Sequence, residues 1–487
     1  MKMKRILLIL SALFCVMQTM FALTIEAGKY YTIKANSDKS TAFMADNNAA
    51  DSRIECVGRE TPFIYWQFVP TGNTDCYYIK NCRTNRYIQS YPNENEKMVK
   101  MGNTPVEYYV KSPDGIDGRF YFAVTSNSPH DFTSGTKGLN LHAESNEDDC
   151  YVQSYNAVAT GNGRSQWTLS EVKLYTIANN TEASTQYVKD NGGDNPAVGS
   201  LDNASLWRLE DAGSNQFYVR NVKSGRYAQA CSDEQRVRVN MGDSPVAYAV
   251  IGKADGVYGL TSADHENKSF DSDNCIGWNW DIENNVVITY AAEYGTNNRS
   301  FWKFTEYQPQ AIGESGYASY GNTTEDVLIL GAQAYKGTVG TSWLSLSEVS
   351  DVPANNGVII KGSLYAVSSK TASADMTGNS LLVSDGSVTG DGSSYYALST
   401  LNETAEIGFY PVGYGVTIPE GKAYLDLNGS SVKGFTFVFE DEATSINKEL
   451  RMKNEELFEG AIYNLAGQRL QKMQKGINII NGRKVLY

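Results

Sequence analysis

The sequence predicts an all-β protein of several domains, and three observations support this. The chain has 487 residues, which at roughly 100–200 residues per domain suggests two to four domains. It contains 43 Gly and 32 Tyr but only 12 Pro, a mix typical of short strands joined by glycine-rich turns. Trp-containing strand patterns also recur over the first 308 residues. We therefore expect tandem β domains followed by further β modules.

Composition and charge exclude several functions. The formal net charge is -13, so the surface repels phosphate backbones, and nucleic-acid binding is not expected. The three histidines, His130, His142 and His265, do not lie at metal-ligand spacing from each other. We therefore expect no His-based zinc site, and the sequence indicates no cofactor.

The first residues predict export. Three basic residues precede an apolar run, Ile6–Val16, and Ala22 is a suitable small residue before a cleavage point. Residues 1–22 are therefore interpreted as a signal peptide that leads to the periplasm. No later stretch approaches the ~18 apolar residues of a transmembrane helix, so no transmembrane segment is expected.

Six cysteines follow the predicted signal peptide, and their spacing shows no regular disulfide framework. Cys76 and Cys82 are close in sequence, but the residues between them predict one strand. At ~3.3 Å per residue a strand would hold the two sulfurs roughly 20 Å apart, so we do not expect a bond between them.

An internal repeat organises residues 23–308. A Trp, an aromatic strand ending in Asn, an Arg-Tyr pair and a Met-Gly-x-x-Pro-Val segment occur in the same order twice. From the Asn onward the offset between the copies is 140 residues. This predicts two domains, 23–172 and 173–308. The paired segments are Trp66 and Trp207, Tyr77–Asn81 and Phe217–Asn221, Arg86–Tyr87 and Arg226–Tyr227, and Met101–Val106 and Met241–Val246.

These motifs resemble the ricin-type β-trefoil lectin repeat. The resemblance implies a pseudo-threefold barrel built from three units of about 40–50 residues in each domain. It rests on the Trp-x-Phe…Tyr-Tyr-Ile-Lys-Asn…Arg-Tyr and Gly-Leu-Asn-Leu…Arg-Ser-Gln-Trp patterns. At the positions of the family's Gln and Asp, this chain has Ser165 or Ser300 and Asn140 or Asn279.

The resemblance also implies ligand-binding residues in the third unit of each domain. Aromatic faces match the C–H patches of sugars, and amide or carboxylate groups match the hydroxyls. The Asn and Arg of this chain keep the hydrogen-bonding capacity but lose the carboxylate. In the alternative structural interpretation, the Asn residues cap turns and the Arg residues pair with backbone carbonyls. The candidates are Asn140, Tyr155 and Arg164 in the first domain and Asn279, Tyr290 and Arg299 in the second.

Two other features have competing interpretations. Trp278 and Trp280 alternate along a strand and could form a stacking platform, but their counterparts Leu139 and Leu141 favour a core position. The acidic run Glu144–Asp149 could hold Ca²⁺, but it lacks the pattern of an EF-hand loop. We expect a solvated loop there and no metal site.

No catalytic machinery is expected. None of the three histidines has a nucleophile-elbow sequence nearby. Paired carboxylates, as in glycoside hydrolases, come together only in space, so sequence leaves that alternative open.

After residue 308 the composition shifts towards Gly, Ser and Val. Residues 309–443 predict a β-sandwich that resembles an accessory module of secreted Bacteroidota proteins, and we interpret it as a spacer. Its predicted strands include Val327–Leu330, Gly357–Gly362, Ala423–Leu427 and Phe435–Phe439.

The tail, residues 444–487, carries eight Lys or Arg and four Glu, a net charge of +4. Its Asn481-Gly482 dipeptide is a strong signal for a two-residue hairpin turn. The tail resembles the C-terminal sorting domain of type IX secretion, a small β domain; alternatively, it adds strands to the sandwich. The matching residues are Tyr463–Leu465, Gly467–Arg469, Lys475, Gly476, Gly482, Lys484 and Val485.

The leading hypothesis from sequence is non-catalytic, lectin-like glycan binding by a secreted or outer-membrane surface protein. Its expected partners are a glycan or a surface protein and the type IX secretion machinery. The alternatives are a protein-binding adhesin or protease-inhibitor-like protein and, less favoured, a glycoside hydrolase.

Overall fold

The structure is a computed structural model. The predicted signal peptide and the acidic run at 144–149 lie outside the residues that it describes. Inter-residue contacts divide the chain into two units. The first comprises 1–334, 350–354 and 359–374, and the second comprises the remainder. The domain limits drawn from sequence stay predictions. The described residues are 24–36, 43–58, 60–112, 118–132, 135–143, 150–157, 163–181, 185–272, 274–400, 407–428 and 432–439, and in the tail the strands at 462–463, 469–470, 477–480 and 483–486.

The first domain consists of short strands that hydrogen-bond into one sheet. The alternation of apolar and polar residues predicted from sequence is what lets each strand bury one face. The strands are β1 (Tyr31–Ala35), β2 (Phe43–Ala45), β3 (Glu55–Val57), β4 (Tyr65–Pro70), β5 (Cys76–Asn81), β6 (Tyr87–Ile88), β7 (Lys97–Met98), β8 (Met101–Gly102), β9 (Glu107–Lys111), β10 (Arg119–Val124), β11 (Lys137–Ala143), β12 (Cys150–Asn156) and β13 (Trp167–Glu171).

The pairing of these strands closes a six-stranded barrel with three hairpins added to it. Strands pair in the cycle β1, β4, β5, β9, β10, β13 and back to β1. The pairs β2–β3, β6–β8 and β11–β12 form the three additional hairpins. Six barrel strands and three hairpins are the topology of a β-trefoil, so the expected fold is confirmed for this domain.

The second domain repeats this arrangement. Its barrel cycle is β14, β17, β18, β21, β22, β25, and its added hairpins are β15–β16, β19–β20 and β23–β24. The strands are β14 (Leu174–Asn179), β15 (Tyr187–Lys189), β16 (Ala197–Gly199), β17 (Leu206–Gly213), β18 (Gln216–Asn221), β19 (Tyr227–Ala228), β20 (Met241–Gly242), β21 (Ala247–Gly252), β22 (Val257–Ser262), β23 (Ile276–Asp281), β24 (Val286–Ala291) and β25 (Trp302–Tyr307).

The two repeated tryptophans occupy equivalent surroundings. Trp66 is fully buried, and its indole N–H donates to the Met44 carbonyl at 2.9 Å. Trp207 is also fully buried and donates to the Val188 carbonyl at 2.8 Å. Both acceptors lie in the middle of the first added hairpin strand, so the duplication seen in sequence is a duplication of structure.

A buried Asp ties the first hairpin of each domain to the turn after the aromatic strand. Arg226 and Ser224 both donate to the Asp190 carboxylate, whose side chain is fully buried. In the first domain Arg86 and Thr84 donate to Asp46 in the same way. Sequence analysis noted the Arg residues but missed their Asp partners, because the Asp residues are offset by 144 positions and not by 140.

Each barrel has its own apolar core, and a third core joins the two domains. The third cluster combines Tyr65 and Ile64 of the first domain with Leu206 of the second. It continues into Leu330 and Leu364 of the following strands, which lie in the same unit. The two trefoils are therefore packed together through shared apolar side chains.

Beyond the trefoils, the region predicted as a β-sandwich contains strands β26 to β37. In the first unit, β26, β32 and β28 form a three-stranded sheet. In the second, the strand order is β30-β37-β35-β34-β36-β33, with β30 parallel to β37. The strands are β26 (Gln310–Ala311), β27 (Tyr317–Asn322), β28 (Val327–Leu330), β29 (Gln333–Val339), β30 (Trp343–Val349), β31 (Asn356–Lys361), β32 (Leu364–Ser369), β33 (Leu382–Val383), β34 (Tyr395–Thr400), β35 (Ile407–Pro411), β36 (Ala423–Asp426) and β37 (Phe435–Phe439).

The tail forms a small four-stranded sheet. Its order is β39-β38-β40-β41, and Ile480 pairs with Arg483. That register is the one expected for a two-residue connection, although residues 481 and 482 themselves lie outside the described part. The strands are β38 (Ile462–Tyr463), β39 (Arg469–Leu470), β40 (Ile477–Ile480) and β41 (Arg483–Leu486).

Helical structure among the described residues consists of short 3₁₀ helices. None of the helices in the described part of the chain is both long and apolar enough to cross a membrane. The 3₁₀ segments are Pro62–Ile64, Gly163–Ser165, Ala254–Gly256 and Asn298–Ser300.

Candidate functional site

The predicted ligand residues of each domain lie in one structural unit, the third added hairpin and the 3₁₀ turn after it. In the first domain Asn140 lies in β11, Tyr155 in β12 and Arg164 in the turn Gly163–Ser165. We call this unit site 1. The structure therefore brings the three residues into one neighbourhood, although 24 positions separate the first from the last.

Site 2 is the equivalent unit of the second domain. Asn279 lies in β23, Tyr290 in β24 and Arg299 in the turn Asn298–Ser300. Whether either set binds a ligand stays a prediction.

Asn140 fixes the hairpin of site 1 to the turn. Its side chain is only 2% exposed, and its amide donates to the Ser165 hydroxyl at 2.9 Å. Its carbonyl oxygen accepts from Gln153 at 3.2 Å. A buried polar group satisfied in this way stabilises the site and offers little of itself to a ligand.

Asn279 has the same role in site 2. It is 5% exposed, and its amide donates to the Ser300 hydroxyl at 2.8 Å. Both Asn residues lie inside strands and donate to a serine of the following turn, so these contacts support the structural interpretation of the Asn residues. Ser165 and Ser300 are thus the partners of Asn140 and Asn279.

A glycine opposite each predicted Tyr allows close packing behind the site. Gly138 pairs with Tyr155, and Gly277 pairs with Tyr290. A Cβ at Gly138 would lie 2.9 Å from the Phe122 carbonyl oxygen, and one at Gly277 would lie 2.6 Å from that of Leu260. A larger residue would therefore push the hairpin away from the barrel.

The tyrosines and arginines are the accessible members of the sets. Tyr155, Arg164 and Tyr290 are partly exposed, and Arg299 is exposed. In an antiparallel pair, residues directly opposite point to the same face, so Tyr155 and Gln153 lie on the same face as Asn140. Leu139 and Leu141 lie on the other face and belong to the core of the first barrel.

Sequence reasoning missed two aromatic contacts at these sites. In site 1 the His142 ring stacks on the Tyr151 ring, with centroids 4.3 Å apart. In site 2 the Arg236 guanidinium lies 5.9 Å from the centre of the Tyr290 ring, a cation–π distance. Pairing β11 with β12 places His142 opposite Tyr151, so the strand register could have predicted the first contact. The second contact joins different hairpins and has no sequence signal.

The tryptophans of β23 are core residues, as expected. Trp278 is fully buried and Trp280 is 7% exposed, and both belong to the core of the second barrel. They lie on the face opposite to Asn279. They therefore do not form a stacking platform for a ligand.

One pair of buried carboxylates lies between the trefoils. Glu60 and Glu210 line a buried cluster, but each faces a guanidinium, Arg208 at 2.5 Å and Arg220 at 3.1 Å. The adjoining cavity, lined in part by Tyr65, is only about 30 Å³, room for roughly one or two water molecules. This arrangement is an ion-pair cluster with no space for a sugar.

The histidines have structural contacts. His265 is buried, with Nε2 3.1 Å from the Cys231 carbonyl oxygen and Nδ1 2.9 Å from the Thr261 hydroxyl. His130 contacts the Asn127 carbonyl. Within the described residues, no group of three or more His, Cys, Asp or Glu is arranged to hold a metal ion.

Comparison with known proteins gives matches to structures alone. No protein-family model and no curated protein matches the sequence. A Macrolepiota procera ricin B-like lectin, solved in complex with lactose, is 16% identical, with a TM-score of 0.25 over 30% of this chain and 99% of its own.

Two further structures cover more of this chain. The hemolytic lectin CEL-III is 9% identical, with a TM-score of 0.37 over 74% of this chain and 96% of its own. An endo-β-galactosidase from Clostridium perfringens that releases GlcNAcα1-4Gal is 11% identical, with a TM-score of 0.23 over 58% of this chain and 73% of its own. At these TM-scores the trefoil assignment rests on the strand pairing described above.

Proposed function

We propose that this protein is a non-catalytic, lectin-like glycan-binding protein, secreted or held at the outer-membrane surface. The observation that carries the proposal is the repeated architecture of sites 1 and 2. Each presents a partly exposed Tyr beside an Asn that is buried and fixed by a Ser, with an Arg in the adjoining turn. The Tyr ring can pack on the C–H groups of a sugar and the Arg can donate to its hydroxyls, while the buried Asn holds the hairpin to the turn.

Two such sites on one chain favour multivalent ligands. A polysaccharide that engages both sites binds its second epitope intramolecularly, which raises the overall affinity without a new contact. The sites differ in their surroundings, because site 1 contains Gln153 and His142 where site 2 has Ile288 and Asp281. We therefore expect the two sites to prefer different glycans.

Export by type IX secretion is the second part of the proposal. A basic start, an apolar run and a small residue precede the first domain, and the tail carries the motifs of a sorting domain. The four short strands of the tail are consistent with a small β domain that recruits the export machinery.

Glycan binding is tested on a glycan array followed by calorimetry with the best ligands. Tyr155→Ala should abolish binding at site 1, Tyr290→Ala at site 2, and the double variant should bind neither set. Tyr414→Ala removes a tyrosine that is 89% exposed outside the trefoils and serves as the control. Absence of binding to any glycan, with the fold intact by circular dichroism, would reject the proposal.

Export is tested by expressing the full chain and a variant lacking residues 444–487 in a host with type IX secretion. The full chain should reach the surface or the medium, and the shortened chain should accumulate in the periplasm. Equal distribution of both proteins would show that the tail has no sorting role. That outcome would leave the glycan-binding proposal to its own test.

A further inference from the structure

Two cysteines of the first domain lie directly opposite each other on neighbouring strands. Strands β3 and β12 are antiparallel, with Tyr151 paired to Glu55. One step along this register, Cys150 faces Cys56. The hydrogen bond from the Val152 amide to the Ile54 carbonyl, 2.9 Å, continues the same register on the other side.

This position suits a covalent link. Residues directly opposite in an antiparallel pair have Cα atoms about 4.5–5.5 Å apart. Disulfides need Cα atoms roughly 4.4–6.8 Å apart. Opposite residues also point to the same face, and both side chains belong to the core of the first barrel. Each cysteine is 9% exposed.

Both cysteines are free thiols in this structure. Burial raises the pKa of Cys56, and the neighbouring Cys150 raises it further. The other described cysteines are distributed elsewhere. Cys231 contacts the Tyr248 hydroxyl, and Cys275 lies in a separate apolar cluster. Cys76 is the first residue of β5, and Cys82 follows its last residue, so the length of the strand separates them.

The second domain provides a comparison at the same place. There β16 pairs with β24 through Ala197 and Val286, so Val198 faces Asn285, and the Val198 amide donates to the Asn285 carbonyl at 2.7 Å. The backbone arrangement is kept, but neither residue can form a covalent link. Any cross-link at this position is therefore confined to the first domain.

We infer that Cys56 and Cys150 form a disulfide that joins the first and third hairpins of the first trefoil. The two thiols lose two protons and two electrons in forming the S–S bond. A small-molecule or protein disulfide accepts them by thiol–disulfide exchange and becomes two thiols. The bond would close a long loop of the chain, the kind of cross-link that most restricts the unfolded state.

Peptide mapping of the full-length protein tests this inference. The protein is incubated with oxidised glutathione, denatured, alkylated with N-ethylmaleimide and digested with trypsin without reduction. Cleavage after Arg53, Arg59, Lys137 and Arg164 places the two cysteines in separate peptides, 54–59 and 138–164. We expect these peptides as one linked species that separates on reduction.

Variants make the result specific. Cys56→Ala should leave Cys150 alkylated, whereas Cys76→Ala and Cys231→Ala should keep the link. Reduction should lower the melting temperature of the native protein by several degrees and leave that of Cys56→Ala/Cys150→Ala unchanged. Recovery of both cysteines alkylated from the oxidised native protein, or linked to other cysteines, would overturn the inference.

Discussion

The guanidinium of Arg208 in the second trefoil contacts both carboxylate oxygens of Glu60 in the first, at 2.5 and 2.9 Å. Both side chains are more than nine-tenths buried. Arg208 also donates to the Tyr65 hydroxyl and lies over its ring, 4.9 Å from the centroid. Burial raises the pKa of Glu60, and the facing Arg208 opposes that rise. The charged form of the buried Glu60 therefore depends on the facing Arg208.

Replacing Arg208 should destabilise the tandem unit. Arg208→Met leaves the Glu60 carboxylate buried without its cation, which typically costs about 3–5 kcal/mol. Denaturant unfolding followed by tryptophan fluorescence measures this loss. Arg238→Met, at an exposed arginine, should change stability by less than about 0.5 kcal/mol. Removing both charges with Glu60→Met/Arg208→Met should recover part of the loss, and no recovery would contradict this account.

The buried Asp190 should make the second trefoil sensitive to acid. Burial alone would raise the pKa of Asp190, but hydrogen bonds from Arg226 and Ser224 hold it below its ordinary value. Because the folded pKa is the lower one, the stabilisation is present above about pH 4 and is lost as pH falls through the folded pKa. Asp190→Asn should therefore lower the free energy of unfolding at pH 7 and have a smaller effect near pH 3. An equal loss at both pH values would contradict the assignment.

Close packing at the two glycines predicts a third effect. Gly138→Ala and Gly277→Ala place a Cβ within 3.0 Å of a backbone carbonyl, and such overpacking costs about 1–3 kcal/mol. Thermal unfolding measures the change. Gly193→Ala is the matched control, because a Cβ there meets nothing within 4 Å. If all three variants melt at the same temperature, the close approach does not constrain these hairpins.

The cation–π contact predicts a difference between the two sites. Arg236 and Glu96 are structurally equivalent, since each has a positive φ and donates its amide to the neighbouring hairpin strand. Arg236→Ala should weaken glycan binding at site 2 by about twofold to fivefold, the value of an exposed cation–π contact. Glu96→Ala tests the equivalent position beside site 1 and should leave site 2 unchanged. Calorimetry with a ligand of each site separates the two effects.

Local patterns predicted much of the fold. The strands Val327–Leu330 and Phe435–Phe439 have the expected bounds. Positive φ occurs in the turns at Asn85 and Gly225, two residue types that tolerate it. These features depend on alternation and turn chemistry within a few residues, which the sequence displays directly.

The candidate sites were only partly predictable. The residues that the lectin resemblance selected do lie in one hairpin and its following turn, because β11 pairs with β12 and β23 pairs with β24. The burial of Asn140 depends on a Ser that follows 25 positions later, and the contact of Arg208 with Glu60 spans 148 positions. Such pairs are set by the packing of hairpins and domains, and no local pattern encodes them.

The apolar cluster shared by both trefoils and the strands after them has a consequence for recognition. Because Tyr65, Leu206 and Leu330 belong to one core, no slack tether lies between the barrels. We therefore expect a fixed distance between site 1 and site 2. A polymer whose epitopes recur at that distance would bind both sites, and a polymer with a different repeat would bind only one.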